Sequence, residues 1–370
     1  MNILIAPNSM KGSINAFDFA DVVEKAFQNC SDSFKIKKMP VADGGDFTGE
    51  LLTRALNAKK VKVLVSDPIG RRVESEYAVS GGTAIIEMAD ASGIKLMRQD
   101  ELNPLVASTY GTGELFADAI NRGCSEILLG IGGSATIDGG TGLAEALGFT
   151  FTDHNGTQLK GNGGNLVNIE RIAKPDNIET VNIKIICDVD NPLTGENGAA
   201  QVFGPQKGAT PKMVSLLDKG LANWSSILES ECGKELSRLK GAGAAGGIAL
   251  PLLAFYNAEI IPGAKYILSV LNFEEHAKWA DVVITGEGKI DSQTLNDKAP
   301  GAVAEVAKRF KKPVIAIGGS VQSDASELFN GIFSIINEAM TLEDALNNVH
   351  ELLYNASFEL ARLLCALKIN

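Results

Sequence analysis

Four short polar segments carry side chains able to do chemistry, and each follows an apolar run: "PNSMKGS" (7–13), "PVADGGD" (40–46), "GEGKIDSQT" (286–294) and "GGS" (318–320). Together they hold the carboxylates of Asp43, Asp46, Glu287 and Asp291 and the ammonium of Lys11, with Lys298 following closely. Hydroxyls (Ser13, Thr294), an amide (Gln293) and glycines that bare backbone N–H groups (Gly44, Gly45, Gly286) complete the set. The chain has only three histidines, His154, His276 and His350, and its five cysteines form no C-x-x-C pair. Oxygen donors beside lysine and exposed N–H groups suit magnesium and phosphate better than zinc or acyl transfer.

A second group lies mid-chain in "LLGIGGSATIDGGTGLAEALG", 128–148. Gly132, Gly133, Ser134 and Thr136, with Asp138 behind them, could form a nest whose N–H and hydroxyl groups hold a phosphate or a carboxylate. Gly130, Gly132 and Ala135 also fit a dinucleotide fingerprint, with Asp153 where a ribose acid would stand. Against that reading, Gly139, Gly140 and Gly142 leave only a stub of helix, and no second βαβ unit follows Asp153. No Walker A loop exists: in "FGPQKGAT" Lys207 precedes its glycine. "CDVDNPLTG" (187–195) adds Asp188 and Asn191 after a strand-like run, with Pro192 barring a helix.

These segments need a scaffold, and periodicity supplies one. Ile3–Ala6 reads as a buried strand, Asn15 and Asp18 as the start of a helix with Phe19, Val22, Val23, Ala26 and Phe27 on one face, and Phe34–Met39 as a second strand. This βαβ pattern resumes only near the other end, in "ADVVITGEG", "KKPVIAIGGS" and "GIFSIIN", with a helix opening at Pro300. A last helix announced by Thr341 and Asp344 should bury Leu342, Leu346, Val349, Leu352 and Leu353 together. The fold class expected is therefore α/β: an open parallel sheet domain built from both termini (1–66 and 273–370) with an inserted mixed α/β domain (67–272). In such sheets ligands bind outside the carboxyl ends of the strands, where the four polar loops should converge.

Composition narrows the partners. A net charge of −11 disfavours nucleic acid or anionic lipid, both of which need a basic footprint. The N-terminal apolar run is too short for a signal sequence and 244–256 too short and broken for a membrane span, so a cytoplasmic protein with reduced thiols is expected.

Nine segments taken in order resemble one family, the bacterial glycerate kinases of glyoxylate and sugar-acid degradation: "APNSMKGS", "PVADGGD", "YGTGEL", "GIGGSATIDGG", "CDVDNPLTG", "VFGPQKGAT", "GAGAAGG", "ITGEGKIDSQT" and "KPVIAIGG". The resemblance implies ATP- and Mg2+-dependent phosphorylation of D-glycerate, with a flavodoxin-like domain made from both ends of the chain and a distinct domain inserted between them; a two-domain build also suggests that glycerate binding closes the cleft. The members most similar to this chain form 2-phosphoglycerate; others form the 3-phosphate. The chain departs from the family pattern at Asn8 (often Asp), at Asp46 and Phe47 (usually Glu and Gly), at Ile137 (usually Asn) and at Asp297 (commonly Gly).

On this reading, Lys11 and Lys298 meet phosphate or the substrate carboxylate, and Glu287 and Asp291 serve the metal. Asp43 is the first candidate for the base that takes the hydroxyl proton, and Asp188 the second. The substrate- and phosphate-binding set comprises Ser13, Gly44, Gly45, Gly132, Gly133, Ser134, Thr136, Asp138, Asn191, Lys207, Gly286, Gln293, Thr294 and Lys298.

Overall fold

Ile3, Leu4, Ile5 and Ala6 are all fully buried, although successive side chains of a strand point to opposite faces. Ile3 and Ile5 join one apolar cluster, Leu4 and Ala6 another, so this strand is covered on both sides, as parallel sheets are. The computed structural model describes residues 1–45, 47–295, 298–322 and 327–367. Its strands in chain order are β1 (Asn2–Ile5), β2 (Lys35–Lys38), β3 (Lys59–Ser66), β4 (Arg72–Ser80), β5 (Thr83–Glu87), β6 (Glu126–Gly130) and β7 (Thr150–Thr152). They continue with β8 (Gln158–Leu159), β9 (Arg171–Ala173), β10 (Asn182–Cys187), β11 (Asn257–Pro262), β12 (Val282–Ile290), β13 (Val314–Val321) and β14 (Gly331–Ser334).

One unit comprises Met1–Phe47 and Pro262–Asn370. Its five strands are parallel and ordered β14-β13-β12-β1-β2. Counted within the unit this is the order 2-1-3-4-5 of flavodoxin-like sheets, whose switch point falls between β1 and β12. Helix Ala16–Cys30 covers one face, its N-cap Asn15 accepting the Asp18 N–H at 2.9 Å. Phe19, Ala20, Val23 and Phe27 meet Leu352, Leu353 and Leu360 of helix Val349–Leu367 there. Helix Ala299–Arg309, with Pro300 in its first turn, covers the other face through Ala302 and Val303. β2 is the edge strand, and its lysines face outward as exposed edges require.

The other unit is Thr48–Ile261. Its first junction falls before residue 66 because β3 is paired along its whole length with β4, which makes Lys59–Ser66 a strand of this unit's sheet. That sheet is mixed, ordered β11-β10-β6-β5-β4-β3, with β5, β6 and β10 parallel and β3, β4 and β5 antiparallel. β7 joins neither β6 nor β10; it pairs antiparallel with β8 and β9 in a small separate sheet. Asp153 consequently sits in the β7–β8 turn, bonded to the N–H groups of Asn155 and Thr157, which removes the dinucleotide reading. Helix Pro211–Cys232, which the periodicity reading passed over, packs Trp224 onto the Gly139 turn, with its indole N–H on Gly139 O at 2.9 Å. Gly139 and Gly140 both take positive φ, and side chains there would collide with Trp224 and Pro251.

The expected last helix is two. Thr341 caps Leu342–Asn347, but Asn348 ends that helix and Val349–Leu367 follows as a separate one. The break turns the first segment outward: Leu342 is 76% exposed and Leu346 exposed, whereas Val349, Leu352 and Leu353 are buried. Among the described residues no helix is long and apolar enough to cross a membrane. Leu353→Ala should cost about 2–5 kcal/mol of stability and Leu342→Ala no more than about 0.5 kcal/mol; urea denaturation of the two variants reads the contrast.

Candidate functional site

Past the end of β1 the chain stays alongside β12: the Ala6 N–H bonds Ile284 O and the Asn8 N–H bonds Gly286 O. This carries the 7–13 loop across the switch point. Met10 and Ile14 then pair across a tight turn with Lys11 and Gly12 at its tip, and the Ser13 hydroxyl donates to Met10 O at 3.1 Å. Asp43 arrives from the loop after β2 and is buried. Its Oδ2 accepts from Asn8 Nδ2 at 2.9 Å and its Oδ1 from the Gly45 N–H at 3.2 Å. A side chain at Asn8 that could not donate would leave that oxygen unbonded, so the Asn found where Asp is frequent has a use here. Gly263, which opens helix Gly263–Val270, lies so close to the backbone of Asp43 and Gly44 that any side chain would collide with it. A Cβ placed on Gly45 would stand 3.2 Å from Asp43 Oδ1 and 3.8 Å from Lys11 Nζ, so the carboxylate and the ammonium flank this glycine.

From β12 comes Glu287, only 6% exposed. Thr294 donates its hydroxyl to Glu287 Oε1 at 2.7 Å and accepts the Asp291 N–H at 3.1 Å, tying the two carboxylate segments together. Burial pushes the Glu287 carboxyl up to about 7; the Lys298 ammonium, 3.9 Å from Oε2, and the Thr294 bond oppose this, while Asp43 and Asp291 add to it. Asp291 is itself buried, with Lys289 Nζ 2.7 Å away. Lys289 was not among the candidates, yet it stands two residues from both Glu287 and Asp291 along the strand and neutralises Asp291. Among the described residues no three His, Cys, Asp or Glu side chains close on one metal position. All-oxygen donors of this kind, one or two carboxylates to be completed by phosphate oxygens, fit Mg2+, which is bound in that way rather than in an all-protein cage.

Gly286 belongs to the scaffold. Its carbonyl takes the Asn8 N–H, and a Cβ there would collide with Ile317 O and the Phe19 ring. Asp46 and Asp297 lie outside the described residues, as does the side chain of Gln293. Beside Lys11 a cavity of about 310 Å³ is lined by Ser9–Asn15, Asp18 and Phe47.

In the other unit, the loop after β6 is tied inward. The Ile94 N–H bonds Gly133 O, and the Ala135 N–H bonds Ser92 O. Lys207 is fully enclosed and donates to Ser134 Oγ at 2.6 Å and Thr136 O at 2.8 Å. Burial lowers its ammonium to about 7, against the pull of Asp138. Asp138 accepts from the Thr109 N–H and hydroxyl at 2.7 and 2.8 Å and from the N–H groups of Gly140 and Gly142, each at 3.2 Å. With no exposure at all, Asp138 ties Thr109 to its own following turn through four hydrogen bonds, and only Gly132 and Gly133 of the expected nest reach the surface. The binding role expected of Asp138 is corrected on that ground, its bonding capacity being spent inside, and the Ala135 N–H of the dinucleotide pattern is likewise taken by Ser92 O.

Asp188 and Asn191 follow β10. Asn191 Nδ2 donates to Asn197 O at 2.8 Å and Asn191 O accepts the Gly243 N–H, so this side chain shapes its own turn, while Asp188 is half-buried. Burial drives the Cys187 thiol up to about 12, the behaviour of a small core residue.

The Lys207 shift fixes a sign. Its native value, about 7, lies below the ordinary 10.5, so its stability contribution is full above about 10.5 and is lost as pH falls toward 7. Unfolding free energy should rise with pH across that window by at most about 1.4 kcal/mol per unit, and Lys207→Met should abolish the slope in denaturant titrations at pH 7.5 and 9.5.

The glycerate kinase family model matches residues 3–365. The chain is 45% identical to a glycerate kinase of Halalkalibacterium halodurans over 97% of each chain, and 39% identical to the glycerate 2-kinase of Escherichia coli K12 over 98% of each. A solved structure assigned as glycerate kinase 2 from Salmonella typhimurium LT2 superposes with a TM-score of 0.84 at 40% identity, covering 100% of this chain and 99% of that one. The protein is therefore an enzyme of the glycerate kinase family.

Proposed function

We propose that this enzyme transfers the terminal phosphoryl group of ATP to D-glycerate, forming 2-phosphoglycerate, in a cytoplasmic setting. The observation that supports the reading most is the meeting of Asp43, Glu287 and Asp291 with Lys11 and Lys298 around the β1/β12 switch point, all within one unit. Phosphoryl transfer asks a protein for positioning and charge neutralisation, and for a group that accepts the proton of the attacking hydroxyl.

Asp43 suits the last task. Asn8 and the Gly45 N–H fix its carboxylate, and the neighbouring glycines admit a substrate hydroxyl closely. Lys11, exposed at the tip of its turn, can follow an incoming carboxylate or phosphate. Lys298 faces the Glu287 carboxylate at a separation that leaves its ammonium able to donate elsewhere. Glu287 and Asp291 would hold Mg2+, which when bound neutralises phosphate charge. Thr294 keeps Glu287 oriented. Asp188 is the alternative base, and Ser134 and Lys207 support the inserted unit's part of the reading only through the exposed Gly132–Gly133 edge beside them.

Asp43→Asn should lower kcat by about 10²–10⁴ with KM for glycerate little changed, while Asp188→Asn stays within a few-fold; the reverse pattern would transfer the base role to Asp188. Product identity is read by coupling to enolase. Turnover on D-glycerate, ATP and Mg2+ with enolase alone is the expected result. Turnover only after a mutase is added would mean the 3-phosphate, and none in either case would sink the kinase reading for this acid.

A further inference from the structure

Phe47 combines two costs that the fold does not repay. Its φ of +66 lies in the left-handed region, which bulky side chains rarely occupy, and its ring is nevertheless 42% exposed. Strain of this kind persists where a site uses it, and the ring here is part of a site: it lines the cavity of about 310 Å³ beside Lys11. The other lining residues are small or polar, apart from Met10 and Ile14, which are buried in the core. Asn15 and Asp18, which form another wall, are bonded to each other as the helix cap. The cavity therefore has one flat apolar face, Phe47, and one cation, Lys11.

A three-carbon hydroxy acid has no flat face to set against the ring and fills only a fraction of this volume. A nucleotide has both complementary parts, a planar base and an anionic phosphate chain. We propose that Phe47 is the platform on which the base of the nucleoside triphosphate stacks, with the phosphates running toward Lys11. This deepens the kinase reading above by assigning its donor subsite. Stacking of a base on an aromatic side chain is insensitive to base identity, so the subsite should accept purine nucleotides generally and discriminate against donors that lack a base.

The test is calorimetric binding of ATP, adenosine diphosphate and tripolyphosphate to the wild-type enzyme, Phe47→Ala and Phe47→Trp. Stacking predicts that Phe47→Ala weakens ATP and ADP binding about 10-fold or more, leaves tripolyphosphate affinity and the KM for glycerate unchanged, and that Phe47→Trp restores nucleotide binding. Melting temperatures of the variants confirm that each is folded. Equal loss for tripolyphosphate, a changed glycerate KM at unchanged ATP affinity, or no change at all would each overturn the assignment. Because binding is measured without turnover, a failure of the glycerate reaction in the enolase assay is recorded separately.

Discussion

Burial on both faces is the constraint from which the terminal unit's chemistry follows. A parallel sheet covered by helices on each side has no wet face, so β1 and the first halves of β12 and β13 are spent on apolar contacts. Polar groups gather toward the carboxyl ends, where Glu287 and Lys289 stand among the last residues of β12. The 2-1-3-4-5 order then opens a crevice at one place, because the connections on either side of β1 and β12 leave in opposite directions. Asn8, Asp43 and Glu287 collect there as a geometric consequence of the order in which the strands are laid down.

The same burial sets the electrostatics. Glu287 is enclosed by the elements that position it, and the Lys298 ammonium stands 3.9 Å away, so desolvation is incompletely offset and the carboxyl is pushed up to about 7. Asp43 accepts from two donors, one from Asn8 and one from the backbone. Two carboxylates a few residues from the same sheet edge thus receive different environments, one poor in donors and one furnished with them. Divergence of this kind is how a single crevice supports distinct proton and charge roles.

What could be read from the sequence follows from how local each signal is. The strands around Ile3–Ala6 and 282–290 and the Asn15 cap were legible because alternation and capping are short-range patterns. The loop carboxylates were legible because they follow those strands directly. A misreading came where long-range packing decides: Asn348 breaks the last helix although Leu342 and Leu346 keep the period. The dinucleotide reading, already disfavoured by Gly139, Gly140 and Gly142, is removed by β7 leaving for another sheet. The glycines of 132–142 misled for the same reason. Trp224, Ile248 and Pro251, distant in sequence, press against Gly139 and Gly140, so part of this glycine content is demanded by close packing. Phe47 was visible as a departure, but its positive φ was not, since backbone conformation at one bulky residue leaves no pattern.

A net charge of −11 and an anionic substrate pair are reconciled by range. At physiological ionic strength, charges more than about 8 Å apart are largely screened in solvent, so the acidic surface contributes little inside the crevice. On the kinase reading proposed above, an incoming phosphate or carboxylate would meet Lys11 and Lys298, while Lys289 pairs with Asp291. Three buried carboxylates face three lysines, so the crevice is near charge balance by count, and a phosphate chain would add negative charge that an accompanying cation would offset. An all-lysine crevice would bind anions more tightly but equally before and after transfer, which lowers KM without raising kcat. On the same kinase reading, a crevice near charge balance would attract a metal-bearing phosphate more strongly than a bare anion.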